Sequence, residues 1–181
     1  MLKADFVADL RQKVNENCET VTAVFQPLTL DQLQWQPDAK EWNILQCFEH
    51  LNLTHDYYTP KIETAIANPK PLQTPDEYKP AFFGRLYMHF AFNPKYSFST
   101  AAEMVPDTAV DPTVFTTYLA KQEALLDFLE QVAHVNLKTK VPISTAVNFH
   151  LGDCLKILPY HDALHIDQAQ RVLAALSASN G

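Results

Sequence analysis

Pro159-Tyr160-His161-Asp162-Ala163-Leu164-His165-Ile166-Asp167-Gln168 is the stretch whose reading decides the fold. It reads as helix, and its two histidines stand four residues apart. On a helix that spacing places both imidazoles on one face, with Cβ atoms about 5–6 Å from each other. Two rings so placed can hold one metal ion at about 2.0–2.1 Å each. Outward from the pair, a three-four alternation runs through Leu151, Cys154, Leu158, His161, His165, Gln168 and Val172. The histidines share this seam with apolar residues, so they point toward a core. Burying neutral imidazoles without partners is unfavourable. The partner is either a metal or nearby carbonyls and carboxylates. An isolated pair is more often the second case, because histidines at intermediate burial are common. A third ligand elsewhere is what turns the balance.

Three further helices are legible upstream. Val7, Leu10, Val14, Cys18, Val21 and Phe25 follow the 3.6-residue period over residues 4 to 26, and Pro27 ends that run. A connector follows, with one turn of helix begun by Thr29 or Asp31. The second helix is expected over about 39 to 67, with a kink or break near Thr59 ahead of Pro60. Its seam is Ile44, Phe48, Leu51, His55, Tyr58 and Ile62, with His50 on a flanking row. Periodicity thus makes His55 the more central histidine. His50 and His55 lie about 140° apart around the helix and do not share a metal. The third helix covers about 113 to 134 through Phe115, Tyr118, Leu125, Leu129 and Val132. Residues 135 to 148 read as a loop with at most a short extended piece. The fourth helix starts near Gly152 or Asp153 and reaches about Ala178, bent by Pro159.

Between the second and third helices, residues 68 to 112 carry Pro69, Pro71, Pro75, Pro80, Pro94, Pro106 and Pro112, which exclude one continuous helix. Phe82, Phe83, Leu86, Tyr87, Phe90 and Ala91 suit a short amphipathic helix within it. The stretch is too apolar for a solvated linker. It reads as a long crossover packed on the other helices, and its apolar 82–92 portion is consistent with a homodimer. Four long amphipathic segments without convincing strand pairs imply an all-α fold, a four-helix bundle, with residues 1–181 as a single domain.

The 181 residues suffice for a sizeable core. The net charge of −7 argues against a nucleic-acid partner. No apolar run approaches the roughly 20 residues of a membrane span. The N-terminal Met1-Leu2-Lys3-Ala4-Asp5 leads directly into an amphipathic pattern without a signal-peptide core, so the expected location is cytoplasmic. Cys18, Cys47 and Cys154 are widely spaced and odd in number, which favours free thiols over disulfides or a thiolate zinc site. With only three glycines, the chain has no Gly-rich phosphate loop.

The stretch Glu41-Trp42-Asn43-Ile44-Leu45-Gln46-Cys47-Phe48-Glu49-His50-Leu51 resembles the DinB-like superfamily of metalloenzymes, in which a Trp precedes a His-Leu by eight residues. His161, His165 and Gln168 match the family's later H-x3-H motif. Phe149-His150-Leu151-Gly152-Asp153 resembles the lead-in to that helix. The order of these motifs spans nearly the whole chain. The resemblance implies an up-down-down-up bundle with a divalent metal, zinc or nickel, held by His50, His161 and His165. It selects His50 over His55, which periodicity would favour.

Three neutral imidazoles leave such an ion one open position. Water there would have a pKa near about 7, and a thiol would be held as thiolate. The expected activity is therefore a hydrolase acting on a small-molecule substrate or, as in relatives that use low-molecular-weight thiols, a thiol S-transferase. The alternative is a metal-binding or stress-response bundle without turnover. No H-E-x-x-H glutamate is present. Glu49 and Asp162 neighbour ligands in sequence and are expected to meet solvent or to orient a ring. Tyr57 and Cys47 read as ordinary packing.

Overall fold

The computed structural model describes residues 1–72, 77–93 and 100–179. Six α-helices and one small two-stranded sheet make up the described part. Pro75 and Pro94 of the crossover lie outside the described residues.

Helix α1 (Lys3–Thr20) continues into a single π-helical turn, Val21–Phe25, closed by Gln26 N donating to Val21 O at 3.1 Å. Pro27 ends it, as the sequence predicts. Helix α2 (Leu30–Gln34) is the expected single turn, and Thr29 and Gln32 cap it reciprocally. Helix α3 (Ile44–Ala67) begins five residues later than expected, at the first residue of its apolar seam. The reason is a second reciprocal cap: Asn43 Oδ1 accepts from Gln46 N at 2.8 Å, and Gln46 Oε1 accepts from Asn43 N at 3.1 Å. That cap satisfies orphan donors of the first turn and leaves residues 39–42 outside the helix. Neither Pro60 nor Pro159 breaks its helix.

The crossover contains α4 (Phe82–Ala91), over the residues expected. It docks in an unexpected way. Phe82, Phe83, Leu86 and Tyr87 are exposed, and the buried residue is Gly84, which sits against Asp153. A 3₁₀ turn, Ala102–Met104, follows and packs on α3.

Helix α5 (Val114–Gln131) runs into a 3₁₀ turn, Val132–His134. The expected loop after it forms a hairpin, which corrects the strand-free reading. Strand β1 (Lys140–Pro142) pairs antiparallel with β2 (Asn148–His150), with Val141 opposite Phe149. Both central residues are buried while their neighbours are not, so each strand contributes one apolar side chain to the core. Three-residue strands leave too short a period for sequence patterning to reveal.

Helix α6 (Leu151–Ser179) starts directly from β2. Its first N–H groups are satisfied by the hairpin approach: Leu151 N donates to Thr139 O at 2.8 Å and Gly152 N to Leu137 O at 3.0 Å. The buried Asp153 carboxylate accepts from His150 N at 2.8 Å, Ala81 N at 3.0 Å and Tyr78 Oη at 2.9 Å. One side chain thereby fixes the start of α6 and pins the crossover beside it.

The long helices pack α3 on α6 and α5, and α1 on the same two. Their core falls into two apolar clusters. One holds Phe6, Leu10 and Val14 of α1, Tyr58 and Ile62 of α3, Leu125 and Leu129 of α5, and Leu155 and Leu158 of α6. The other holds Val21 and Phe25, Phe48 and Leu51, Phe115 and Tyr118, and Ile166, Ala169 and Val172. Between the clusters every long helix contributes buried polar residues, among them Asn17, His55, Gln122 and Asp162. Among the described residues, no helix is long and apolar enough to cross a membrane.

Candidate metal centre

His161 and His165 fall on successive turns of α6, as their spacing requires, and face His50 of α3. The three ring centroids form a compact triangle, 5.0 Å from His50 to His161, 4.5 Å from His50 to His165 and 4.6 Å from His161 to His165. Each ring offers a nitrogen, and the three lie within 4.8 Å of one another. The Nε2 atoms of His50 and His161 are 3.3 Å apart. Two nitrogens sharing a tetrahedral ion at about 2.0–2.1 Å would be separated by about that distance.

The hydrogen bonds of the rings direct their lone pairs. His50 Nδ1 donates to the carbonyl of Met104 at 2.7 Å, which leaves Nε2 free toward the cluster. His165 Nδ1 donates to Gln168 Oε1 at 2.8 Å, with the same result. Such bonds at the far nitrogen fix tautomer and ring orientation in metal-binding histidines. The third ring differs: His161 Nδ1 is sealed from solvent and has no hydrogen-bond partner among the described residues. Thr54 Oγ1 donates to His50 O at 2.9 Å and lies 3.9 Å from Met104 Sδ, so it ties the Ala102–Met104 turn to the ligand-bearing turn of α3.

His50 is buried, while His161 and His165 retain part of their surface. Trp42 stands beside the cluster, 4.9 Å from the His50 ring and 5.9 Å from that of His165. The Asn43–Gln46 cap directs the chain so that Trp42 reaches this position. Burial pushes the pKa of His161 well below the ordinary value, and repulsion from His165, His50 and His55 adds to it. Burial likewise lowers His50, against its bond to Met104. For His165, burial and the charge of His50 push it down to about 4, although its bond to Gln168 opposes the shift. All three rings are therefore neutral at pH 7, the form that binds metals. The donor set, its neutrality and its convergent lone pairs fit a divalent ion.

His55, the alternative third ligand, is just as central as periodicity indicated but faces elsewhere. It is 1% exposed and donates from Nε2 to Asp162, 3.0 Å from Oδ2. Asp162, expected to meet solvent or orient a ligand, is fully buried and also accepts from Gln122 Nε2 at 2.9 Å and Tyr118 Oη at 3.3 Å. Gln168 lines the cluster as expected. Tyr57 donates to Ile143 O at 3.0 Å, which bears out its packing role. Cys47 is a buried thiol pushed up to about 12 by desolvation, consistent with an inert residue. Sequence reasoning missed the Met104 carbonyl, for which a main-chain atom gives no signal. It also missed the buried Asp162, for which a signal existed: Leu158, Asp162, Ile166 and Ala169 form a second seam beside the histidine seam.

A cluster of three neutral imidazoles, carried on two helices and steered by a carbonyl and an amide, defines a candidate metal centre in a helical protein. Residues 15–169 match the family model described as the DinB superfamily, and the chain belongs to that superfamily. No curated protein and no solved structure matches it.

Proposed function

We propose that this protein is a metal-dependent enzyme in which His50, His161 and His165 hold a divalent ion, zinc or nickel by the imidazole-only donor set. The single observation that carries the reading is the convergence of three neutral rings whose far nitrogens, in two of the three, are already engaged. When bound, such an ion has one open position, where it would lower the pKa of water to about 7 or hold a thiol as thiolate. The reaction class is hydrolysis of a small molecule or transfer to a low-molecular-weight thiol. In this reading the four long helices run up, down, down and up. Trp42 limits water access beside His50 and His165, and Gln168 and Met104 keep two rings from rotating.

A second reading, metal binding without turnover, is favoured by one observation. Among the described residues, no carboxylate is hydrogen-bonded to any of the three rings, so the ligands have only neutral partners and not the carboxylate that raises ligand basicity in many metal sites.

The test begins with metal analysis of the purified protein and with zinc and nickel titrations. His50→Ala and His161→Ala should each abolish stoichiometric binding, while His134→Ala should leave it unchanged. Failure of the wild type to retain either ion refutes the metal reading. Assay of the loaded protein against small electrophiles with and without several thiols then separates transferase, hydrolase and non-catalytic binder.

A further inference from the structure

The buried polar residues between the two apolar clusters call for an explanation that packing alone does not provide. Asn17, His55, Gln122 and Asp162 come one from each long helix, at one level of the core, and none is more than 4% exposed. At this level α6 is held from three sides. His55 Nε2 of α3 donates to Asp162, lying 3.2 Å from Oδ1 and 3.0 Å from Oδ2. Gln122 Nε2 and Tyr118 Oη of α5 donate to Asp162 Oδ2 at 2.9 and 3.3 Å. Asn17 Nδ2 of α1 donates to the Pro159 carbonyl at 2.9 Å, two residues before the first α6 histidine.

Apolar seams tolerate sliding by a turn, because one leucine replaces another. A polar residue buried at one level does not, because slippage strands donors and a carboxylate in the core. Asp162 follows His161 directly, about 100° around the helix, so it faces the core while His161 faces the metal centre. His55 lies five residues after His50 on α3. The two helices that carry the candidate ligands are thus joined twice, once through the histidine cluster and once through the Asp162–His55 pair.

We infer that Asp162, His55 and Gln122 are positioning residues for the metal centre: their buried hydrogen bonds set the register of α6 against α3 and α5 that brings His161 and His165 to His50. The inference rests on the metal reading proposed above. It predicts that the network governs metal geometry more than it governs stability. A buried ionic cluster replaced as a whole by apolar residues of similar size often leaves a protein as stable as before.

The experiment compares the full-length wild type with His55→Gln, Asp162→Asn and the triple replacement His55→Leu, Asp162→Leu, Gln122→Leu, the last made together with Tyr118→Phe so that no buried hydroxyl loses its acceptor. Three quantities are read: zinc Kd by chelator competition, the visible spectrum of the cobalt(II)-loaded protein, and urea stability. The triple variant is expected to stay folded, to bind zinc at least tenfold more weakly, and to lose the intensity of a tetrahedral cobalt spectrum. His55→Gln, which keeps an N–H toward Asp162, should recover most of the affinity and the wild-type spectrum. Asp162→Asn should weaken zinc several-fold with an altered spectrum. Wild-type Kd and spectrum in the folded triple variant overturn the inference and leave the metal reading intact. If the triple variant does not fold, wild-type Kd and spectrum in Asp162→Asn overturn it equally. If the wild type itself binds neither zinc nor cobalt, the metal reading fails and this inference with it.

Discussion

Acidification should destabilise the metal-free protein through its histidine cluster, and the size of the effect follows from the burial of one ring. His165 falls from an ordinary 6.5 to about 4 in the folded protein, chiefly by desolvation. Between these values the unfolded chain binds a proton that the folded chain refuses. Stability is therefore complete above about pH 6.5 and drains away as pH falls toward about 4. At 1.36 kcal/mol per unit, His165 alone accounts for about 3 kcal/mol. His50 and His161 are shifted in the same direction and deepen the loss. Glu49 and Asp153 oppose it: desolvation raises both, so their contribution grows as pH falls into the carboxylate range. Comparison with His165→Gln removes that background. Urea unfolding of both metal-free proteins from about pH 8 to about pH 4.5 should show the wild type losing roughly one proton's worth more, about 1.4 kcal/mol per pH unit below about pH 6. Parallel curves for the two proteins would refute the claim that burial holds this ring neutral.

Two more perturbations bear on the site and its support. Gln168→Leu removes the acceptor at His165 Nδ1 and should weaken zinc binding by about 10- to 100-fold with little change in urea midpoint, read by chelator competition. Gly84→Ala would place a Cβ 2.5 Å from Asp153 Cγ, against a carboxylate held by three donors. It should destabilise the protein by about 1–3 kcal/mol in chemical denaturation, with α4 amides losing hydrogen-exchange protection first.

The sequence carried the helical skeleton well because seams such as Val7–Phe25 and Ile44–Ile62 repeat over many turns. Its failures were local. Helix α3 starts at Ile44, the first residue of its seam, because the Asn43–Gln46 cap fixes its first turn there. The 140–150 hairpin is anchored by tertiary contact: Leu137 and Thr139, just before it, accept from the first α6 amides, and Val141 and Phe149 enter the core. At the site, spacing alone paired His161 with His165. Periodicity named His55 as the central histidine of α3, and it is central. What periodicity could not supply was its partner: Asp162, expected to meet solvent or to orient a ring, lies on the neighbouring seam and bonds the His55 ring. The choice of His50 came from the family resemblance, which pairs it with Trp42 eight residues earlier, and that tryptophan stands beside the ring.

The carbonyl that steers His50 belongs to the main chain, and this has an outcome for how the centre tolerates change. Side-chain scanning at position 104 would keep the oxygen in every variant and remove only the contact of Thr54 with Met104 Sδ. Greater sensitivity would appear when the path of the chain is altered, by insertion, deletion or a cut peptide bond between residues 100 and 114. A nick there would let the imidazole swing while every ligand is still encoded, so loss of zinc after limited proteolysis would trace to geometry and not to composition.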